Sequence, residues 1–181
     1  IKYYDHKAYL AQSPQLYKQM MVGVFERVFT IAHSYRAEPS VTTRHLSEYV
    51  SLDAEFGFID SWQDLMDMAE NVVKNIIQDV EEERSSELSL LGVESLKPPS
   101  KIPRLKLKDA QEIVFKRTKI DHRNDPDLDP KDEKEICKWA MEETGAPFVF
   151  ITHYPTKKRP FYTFPDEEDP DYTLSFDLLG V

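Results

Sequence analysis

Tyr35-Arg36-Ala37-Glu38-Pro39-Ser40-Val41-Thr42-Thr43-Arg44-His45-Leu46-Ser47-Glu48-Tyr49-Val50-Ser51-Leu52-Asp53-Ala54-Glu55 is the stretch on which the fold turns. Upstream of it, Val28 to Arg36 is rich in β-branched and aromatic residues, the composition of a strand. From Tyr49 to Ile59 the sequence alternates with a period of two. Val50, Leu52, Ala54, Phe56 and Phe58 point one way, and Ser51, Asp53 and Glu55 the other. The polar run Ala37 to Thr43 separates the two. Two strands around a polar loop predict an antiparallel pair. Arg36 stands at one end of the loop and Arg44-His45 at the other, so both cationic ends can fold over one face of the sheet.

On the N-terminal side, Tyr3 to Leu10 reads as extended, and Ser13-Pro14 opens a helix over Gln15 to Val24, with Ser as its cap. Gly23 is expected to mark a close approach or the helix stop. On the C-terminal side, Ser61-Trp62-Gln63-Asp64 resembles a capping box. Behind it Leu65, Met68, Ala69, Val72, Val73, Ile76, Ile77 and Val80 recur at helical spacing, one face of a long core helix. Leu91 to Pro103 reads as a linker. A small helical unit follows: one helix through Leu107, Ala110, Ile113 and Val114, then one capped by Asp129-Pro130 and ended by Gly145. Phe148–Thr152, Phe161–Phe164 and Thr173–Leu178 return as strands. The order predicts an α+β fold on an antiparallel sheet flanked by helices, with a small mainly helical insertion. The expected divisions are 1–88, 89–146 and 147–181.

Composition narrows the function. The chain has 181 residues, with 23 Lys and Arg against 33 Asp and Glu, a formal charge of −10. A generic polyanion-coating protein is disfavoured, and nucleic acid must dock on a local basic patch. No apolar run approaches the roughly 20 residues of a membrane span. The opening Ile1-Lys2-Tyr3-Tyr4-Asp5 is neither a signal nor a transit peptide. The single cysteine, Cys137, excludes an internal disulfide and fits a reducing, cytoplasmic setting. With 5 glycines and neither GxGxxG nor a P-loop, a Gly-rich dinucleotide fold is disfavoured. The chain opens without Met, in mid-pattern, and reads as a fragment.

Two constellations carry chemistry. Ser13, Gln15 and Lys18 fall within two turns at a helix N-terminus, where backbone N–H groups and a full positive charge can meet a carboxylate. Arg36 ends a strand, so its guanidinium is held and can fork onto a phosphate. Arg44 and His45 can meet further phosphates. Asp53 can accept an ammonium group or fix Lys18. Each also has a plain structural reading, an ordinary helix cap and a charged hairpin with surface ion pairs.

Gln12 to Gln19, Phe25-Glu26-Arg27-Val28-Phe29, Tyr35 to Glu38, Thr43 to Glu48 and Leu52 to Glu55 together resemble the aspartyl-tRNA synthetase family, in its archaeal-type aspartyl/asparaginyl branch. Phe150-Ile151-Thr152-His153-Tyr154-Pro155, Arg159 to Thr163 and Ser175 to Leu179 match the same family's later strands. The resemblance implies a class II synthetase catalytic core with motif 2 inside residues 1–88, truncated before motif 3. It implies that Lys18 reads the aspartate side-chain carboxylate, that Ser13 and Gln15 line the pocket, and that Asp53 helps hold the substrate ammonium and Lys18. Arg36, the catalytic residue, bridges the substrate carboxylate and the ATP α-phosphate. Glu38 lies near the adenine, and Arg44, His45 and Leu46 lie along the phosphates. ATP, Mg²⁺, aspartate and tRNA follow as ligands, with a homodimer in the intact parent and no protein metal ligand assigned.

The family's motif 1, anticodon-binding barrel and motif 3 are not in these residues, and the 181 residues alone are expected not to charge tRNA. Relaxed recognition of the asparagine tRNA stays open, because the anticodon reader is missing. The alternatives are an asparaginyl-tRNA synthetase, a non-catalytic paralogue that binds or regulates, and an amide-forming enzyme that makes asparagine without tRNA. His33 departs from the family pattern and reads as a core histidine or a pocket-floor residue. His122 and His153 lack ligand spacing and read as structural. Lys157-Lys158-Arg159, and the run Lys101, Arg104, Lys106, Lys108, Lys116, Arg117 and Lys119, are candidate RNA contacts against a plain charged surface.

Overall fold

A computed structural model describes residues 1–38, 46–93 and 97–180. The chain divides into two compact units, Ile1–Ser61 and Trp62–Val181.

The first unit is built on one hairpin. β1 (Lys2–Tyr3) and β2 (His6–Lys7) form a minimal ribbon turned at Tyr4, where φ is 52°, so the expected extended Tyr3–Leu10 run is folded back. α1 (Gln15–Phe25) starts after Pro14. Ser13 caps from one residue further out, its Oγ accepting the Gln15 N–H at 3.2 Å. Gly23 neither stops α1 nor marks a close approach, since a Cβ there would meet nothing within 4 Å. Glu26, at φ 62°, ends the helix instead, its N–H returning to the Val22 carbonyl. β3 (Arg27–Tyr35) and β4 (Glu48–Phe56) pair antiparallel from Arg27↔Phe56 to Tyr35↔Glu48. The pair places Thr30 opposite Asp53 and Ala32 opposite Ser51. α1 packs on this pair. The face carrying Ser34, Ser51, Asp53 and Glu55 is the better shielded one. On the other face Phe29, Ile31, Val50 and Leu52 are each at least 60% exposed.

The second unit is a three-stranded sheet between helices. α2 (Gln63–Glu83) and α3 (Ser85–Leu91) lead to β5 (Arg104–Lys106), α4 (Leu107–Thr118), α5 (Pro130–Thr144), β6 (Phe148–Thr152), a 3₁₀ turn (Thr156–Lys158) and β7 (Phe176–Gly180). The strand order is β5-β6-β7. β6 and β7 run antiparallel, but β5 and β6 are parallel, so this sheet is mixed where a purely antiparallel one was expected. The reason is connectivity: α4 and α5 lie between β5 and β6 and carry the chain back to the same end. The proline-rich linker thus leads directly into an edge strand.

β6 is buried on both faces, and its alternation assigns the two halves of the core. Val149 and Ile151 pack with Leu107, Val114, Ile136 and Ala140 from α4 and α5. Phe150 packs with Met66 and Ile102, flanked by Trp62, Ala69 and Phe176. α2 therefore delivers only its first turns to the core. Val72, Ile76 and Val80 are 41–53% exposed, because 21 residues of helix run about 30 Å, well past a five-residue strand. The capping-box reading of Ser61–Asp64 shifts as well: the cap position is Trp62, whose side chain makes no capping bond.

α5 follows its sequence signals closely. The Asp129 carboxylate accepts the Lys131 and Asp132 N–H groups, Pro130 opens the helix, and Gly145 closes it at φ 70°. Phe161–Phe164 is not a strand. Pro160 and Pro165 bracket it, and the Thr163 N–H closes a turn onto the Pro160 carbonyl. β7 begins at Phe176 rather than Thr173, which makes only an isolated bridge to Pro165.

These assignments order two substitutions. Phe150→Ala is expected to cost about 3–5 kcal/mol and Asp129→Ala about 1 kcal/mol in urea unfolding, the first through a core cavity and the second through a lost cap. Equal costs would contradict the packing described.

Candidate functional site

α1 and β4 converge on one charged cluster in the first unit. Gln15 and Lys18, three residues apart, share a helix face. Ser51, Asp53 and Glu55 share the shielded strand face because they alternate with Val50, Leu52 and Ala54. The Lys18 side chain is only 8% exposed. A buried ammonium needs anions, and β4 supplies two. Lys18 Nζ lies 3.1 Å from Asp53 Oδ1 and 3.7 Å from Glu55 Oε2. Both ends are braced: Ser51 Oγ donates to Asp53 Oδ2 at 2.5 Å, and Gln15 Nε2 donates to Glu55 Oε2 at 3.3 Å.

The cluster sums to one positive and two negative charges. Partial burial raises the Asp53 pKa, but the Ser51 hydroxyl, the Lys18 ammonium and the nearby Arg36 charge outweigh it. The carboxyl is held below the usual carboxylate range. Chemically, the cluster offers carboxylate to an incoming ammonium group. Among the described residues, one of the three Lys18 donors also remains beyond its firm bond to Asp53 and its looser pairing with Glu55.

Arg36 lies just past β3, with its N–H bonded to the Ser47 carbonyl at 2.9 Å and its guanidinium 5.6 Å from the centre of the Tyr49 ring. The ring steadies an otherwise exposed cation. Glu38 is half-buried and Leu46 is 55% exposed. Arg44 and His45 lie outside the described residues. Against α1 and β3 is a cavity of about 440 Å³ whose lining includes Ser13, Lys18, Met21, Phe29 and His33. His33 is not a core residue. Its ring is 62% exposed, with Nδ1 3.3 Å from Glu48 Oε1 and a stacking contact with Tyr35.

Elsewhere the sequence candidates take structural positions. His122 Nδ1 meets Asp132 Oδ2 at 2.7 Å, and that bond holds the imidazole above its usual pKa. Asp129 joins them in a group with the spacing of metal ligands, though its carboxylate already caps α5. Counting only Cys and His as partners for His122 hid this group. His153 bonds Thr152 Oγ1 through Nδ1 at 2.7 Å and meets the edge of Trp62. Cys137 is buried in the core.

Three of the seven cations in the basic run of the insertion, Arg104, Lys116 and Arg117, are held in ion pairs. Arg104 binds Asp67, Arg117 binds Glu135 and Glu142, and Lys116 pairs with Glu112. Arg159 turns inward, stacking on Tyr154 at 3.9 Å and donating to Asp177 at 2.8 Å, so Lys157 and Lys158 alone of that trio are exposed. Among the described residues no helix is long and apolar enough to cross a membrane.

The profile of the tRNA synthetases class II (D, K and N) matches residues 1–180. The chain belongs to this family. It is 45% identical over 185 residues to the aspartate–tRNA(Asp/Asn) ligase of Deinococcus radiodurans, a match covering 99% of this chain and 42% of that protein. Among solved structures, the aspartyl tRNA synthetase of Entamoeba histolytica superposes with a TM-score of 0.85 at 31% identity, over 97% of this chain and 38% of that one. The asparaginyl-tRNA synthetase of the same organism, in complex with asparaginyl-adenylate, gives 0.83 at 32% identity, over 99% of this chain and 40% of that one. The chain thus spans about two fifths of these class II synthetases. The expected α+β class II fold is that of its neighbours. Fold alone does not separate aspartyl from asparaginyl members.

Sequence reading put Ser13, Gln15, Lys18 and Asp53 in one neighbourhood, and the structure brings Gln15, Lys18 and Asp53 together. It gave no role to Ser51 or Glu55, although the period of two already set both beside Asp53.

A depressed carboxyl stabilises the fold above the ordinary carboxylate pKa and loses that contribution as pH falls through its folded value. Thermal stability is therefore expected to drop on acidification from about pH 4 downward. In Asp53→Asn the melting temperature should start lower at neutral pH and fall less steeply with acid. Parallel curves would remove Asp53 from the account.

Proposed function

We propose that this chain is part of the catalytic domain of an aspartate–tRNA ligase, with divisions at 1–88, 89–146 and 147–181. The observation that carries the reading is the Lys18 ammonium, buried beneath α1 and held by Asp53 and Glu55. Its remaining donor suits the side-chain carboxylate of aspartate, while Asp53 and Glu55 offer negative charge to the substrate ammonium. A neutral asparagine side chain would leave that donor without a charged partner.

In the reaction proposed, the aspartate α-carboxylate attacks the α-phosphorus of ATP in line, a P–O bond forms, and pyrophosphate departs. Arg36 meets the charge that builds on the α-phosphate and the attacking carboxylate. Arg44 and His45 neutralise the departing phosphates, with Leu46 beside them, and Glu38 lies at the adenine. The terminal ribose hydroxyl of tRNA then attacks the adenylate carbonyl and releases AMP. No protein nucleophile is needed, because positioning and electrostatics suffice. Mg²⁺ would accompany the phosphates. Homodimerisation, charging of the asparagine tRNA as well, and a cytoplasmic setting belong to the same proposal for the complete protein.

The likeness to asparaginyl-tRNA synthetases supports a second reading, activation of asparagine at the same site. Pyrophosphate exchange by the complete polypeptide that carries this chain separates the two. Exchange is expected with aspartate and not asparagine. Lys18→Ala and Arg36→Ala should each lower kcat/KM by about a thousandfold. Exchange with asparagine alone would favour the second reading. A folded protein that exchanges with neither is a binding paralogue.

A further inference from the structure

Lys18 has one firm hydrogen bond, to Asp53 Oδ1 at 3.1 Å, and one looser ion pair, to Glu55 at 3.7 Å. The direction of its remaining donor therefore depends mainly on where Asp53 puts Oδ1. The carboxyl torsion of aspartate is broad and roughly two-fold, so a single contact does not fix it. A second contact on the other oxygen does. Ser51 supplies that contact at 2.5 Å, a short charge-assisted bond. The backbone makes it possible: Ser51 and Asp53 are two residues apart on one strand face, and the cross-strand neighbour of Ser51 is the small Ala32.

We infer that Ser51 is a positioning residue, acting through Asp53 to aim the Lys18 ammonium at the substrate's side-chain carboxylate. The inference rests on the aspartate-activating reading and adds to it a residue that touches no substrate. Among the described residues, the charged groups facing Asp53 are Lys18 from α1, Arg36 beyond β3 and, across the ammonium, Glu55 on β4. None of these charges is deleted when the Ser51 hydroxyl is removed, so its effect can be isolated.

The test is pyrophosphate exchange by the complete polypeptide, with Ser51→Ala and Ser51→Thr. In Ser51→Ala the KM for aspartate should rise about tenfold, with kcat and the KM for ATP within about twofold of wild type. Losing a donor to the charged carboxylate raises its pKa, so the acid limb of kcat/KM should move to higher pH. Ser51→Thr, which keeps the hydroxyl, should restore both. Should Ser51→Ala be unstable, Ser51→Cys keeps the volume, donates weakly and carries the same expectation. An unchanged KM for aspartate with an unmoved acid limb overturns the inference, as does a defect confined to kcat or one that Ser51→Thr fails to rescue. A wild type that exchanges with no amino acid overturns the functional reading and this inference with it. An active wild type with an indifferent Ser51→Ala overturns this inference alone.

Discussion

A lysine that is 8% exposed cannot sit beneath a helix without anions, and that requirement organises the first unit. Asp53 and Glu55 must lie on the same face of β4, so the strand must hold its alternation. They must stand under Lys18, so the β3–β4 register must be kept. A slip of one residue would turn both carboxylates to the opposite face and present Leu52 and Ala54 to the ammonium. The nine-residue ladder of β3 and β4, continued by the Arg36 N–H to Ser47, makes such a slip costly. The same continuation sets Arg36 at the edge of the shielded face, where its charge helps keep Asp53 ionised.

The second unit obeys a plainer constraint. β6 is apolar on both faces, so each face must be covered. Helices α4 and α5 cover one, and α2 with Ile102 covers the other. The insertion therefore shares a core with the returning strands, and its tight packing leaves its charged residues to pair with one another at the surface. Within the stripe of cations that looks like a nucleic-acid contact in the sequence, Arg117 of α4 is taken up by Glu135 and Glu142 of α5 once the two helices are side by side.

Legibility followed the range of the interactions. The helix α5 was plain because its cap, first-turn proline and closing glycine act within a few residues. Strand β6 was plain because an apolar run bounded by turns has few other uses. The hairpin and its polar face were plain from alternation alone. Glu26 as the end of α1 was not, since a glycine nearby gave the stronger local signal and the left-handed residue carries a side chain. β5 was hidden because three residues after a run of prolines become a strand only when β6 arrives beside them. Within the site, Lys18 and Asp53 were legible as partners, while the bracing by Ser51 and Gln15 depended on distances across the fold that no local pattern encodes. The exposure of His33 was equally a matter of which face it takes.

Aspartyl and asparaginyl members share this fold, so the proposed preference for aspartate stands on Lys18. The most direct measurement is calorimetric binding of two non-hydrolysable adenylate analogues, aspartyl and asparaginyl sulfamoyl adenosine, to the complete polypeptide. A charged group meeting a buried ammonium predicts that the aspartyl analogue binds tighter by about a hundredfold, and that Lys18→Met erases most of the difference. Equal affinity for the two analogues, or a preference for the asparaginyl one, would contradict the account.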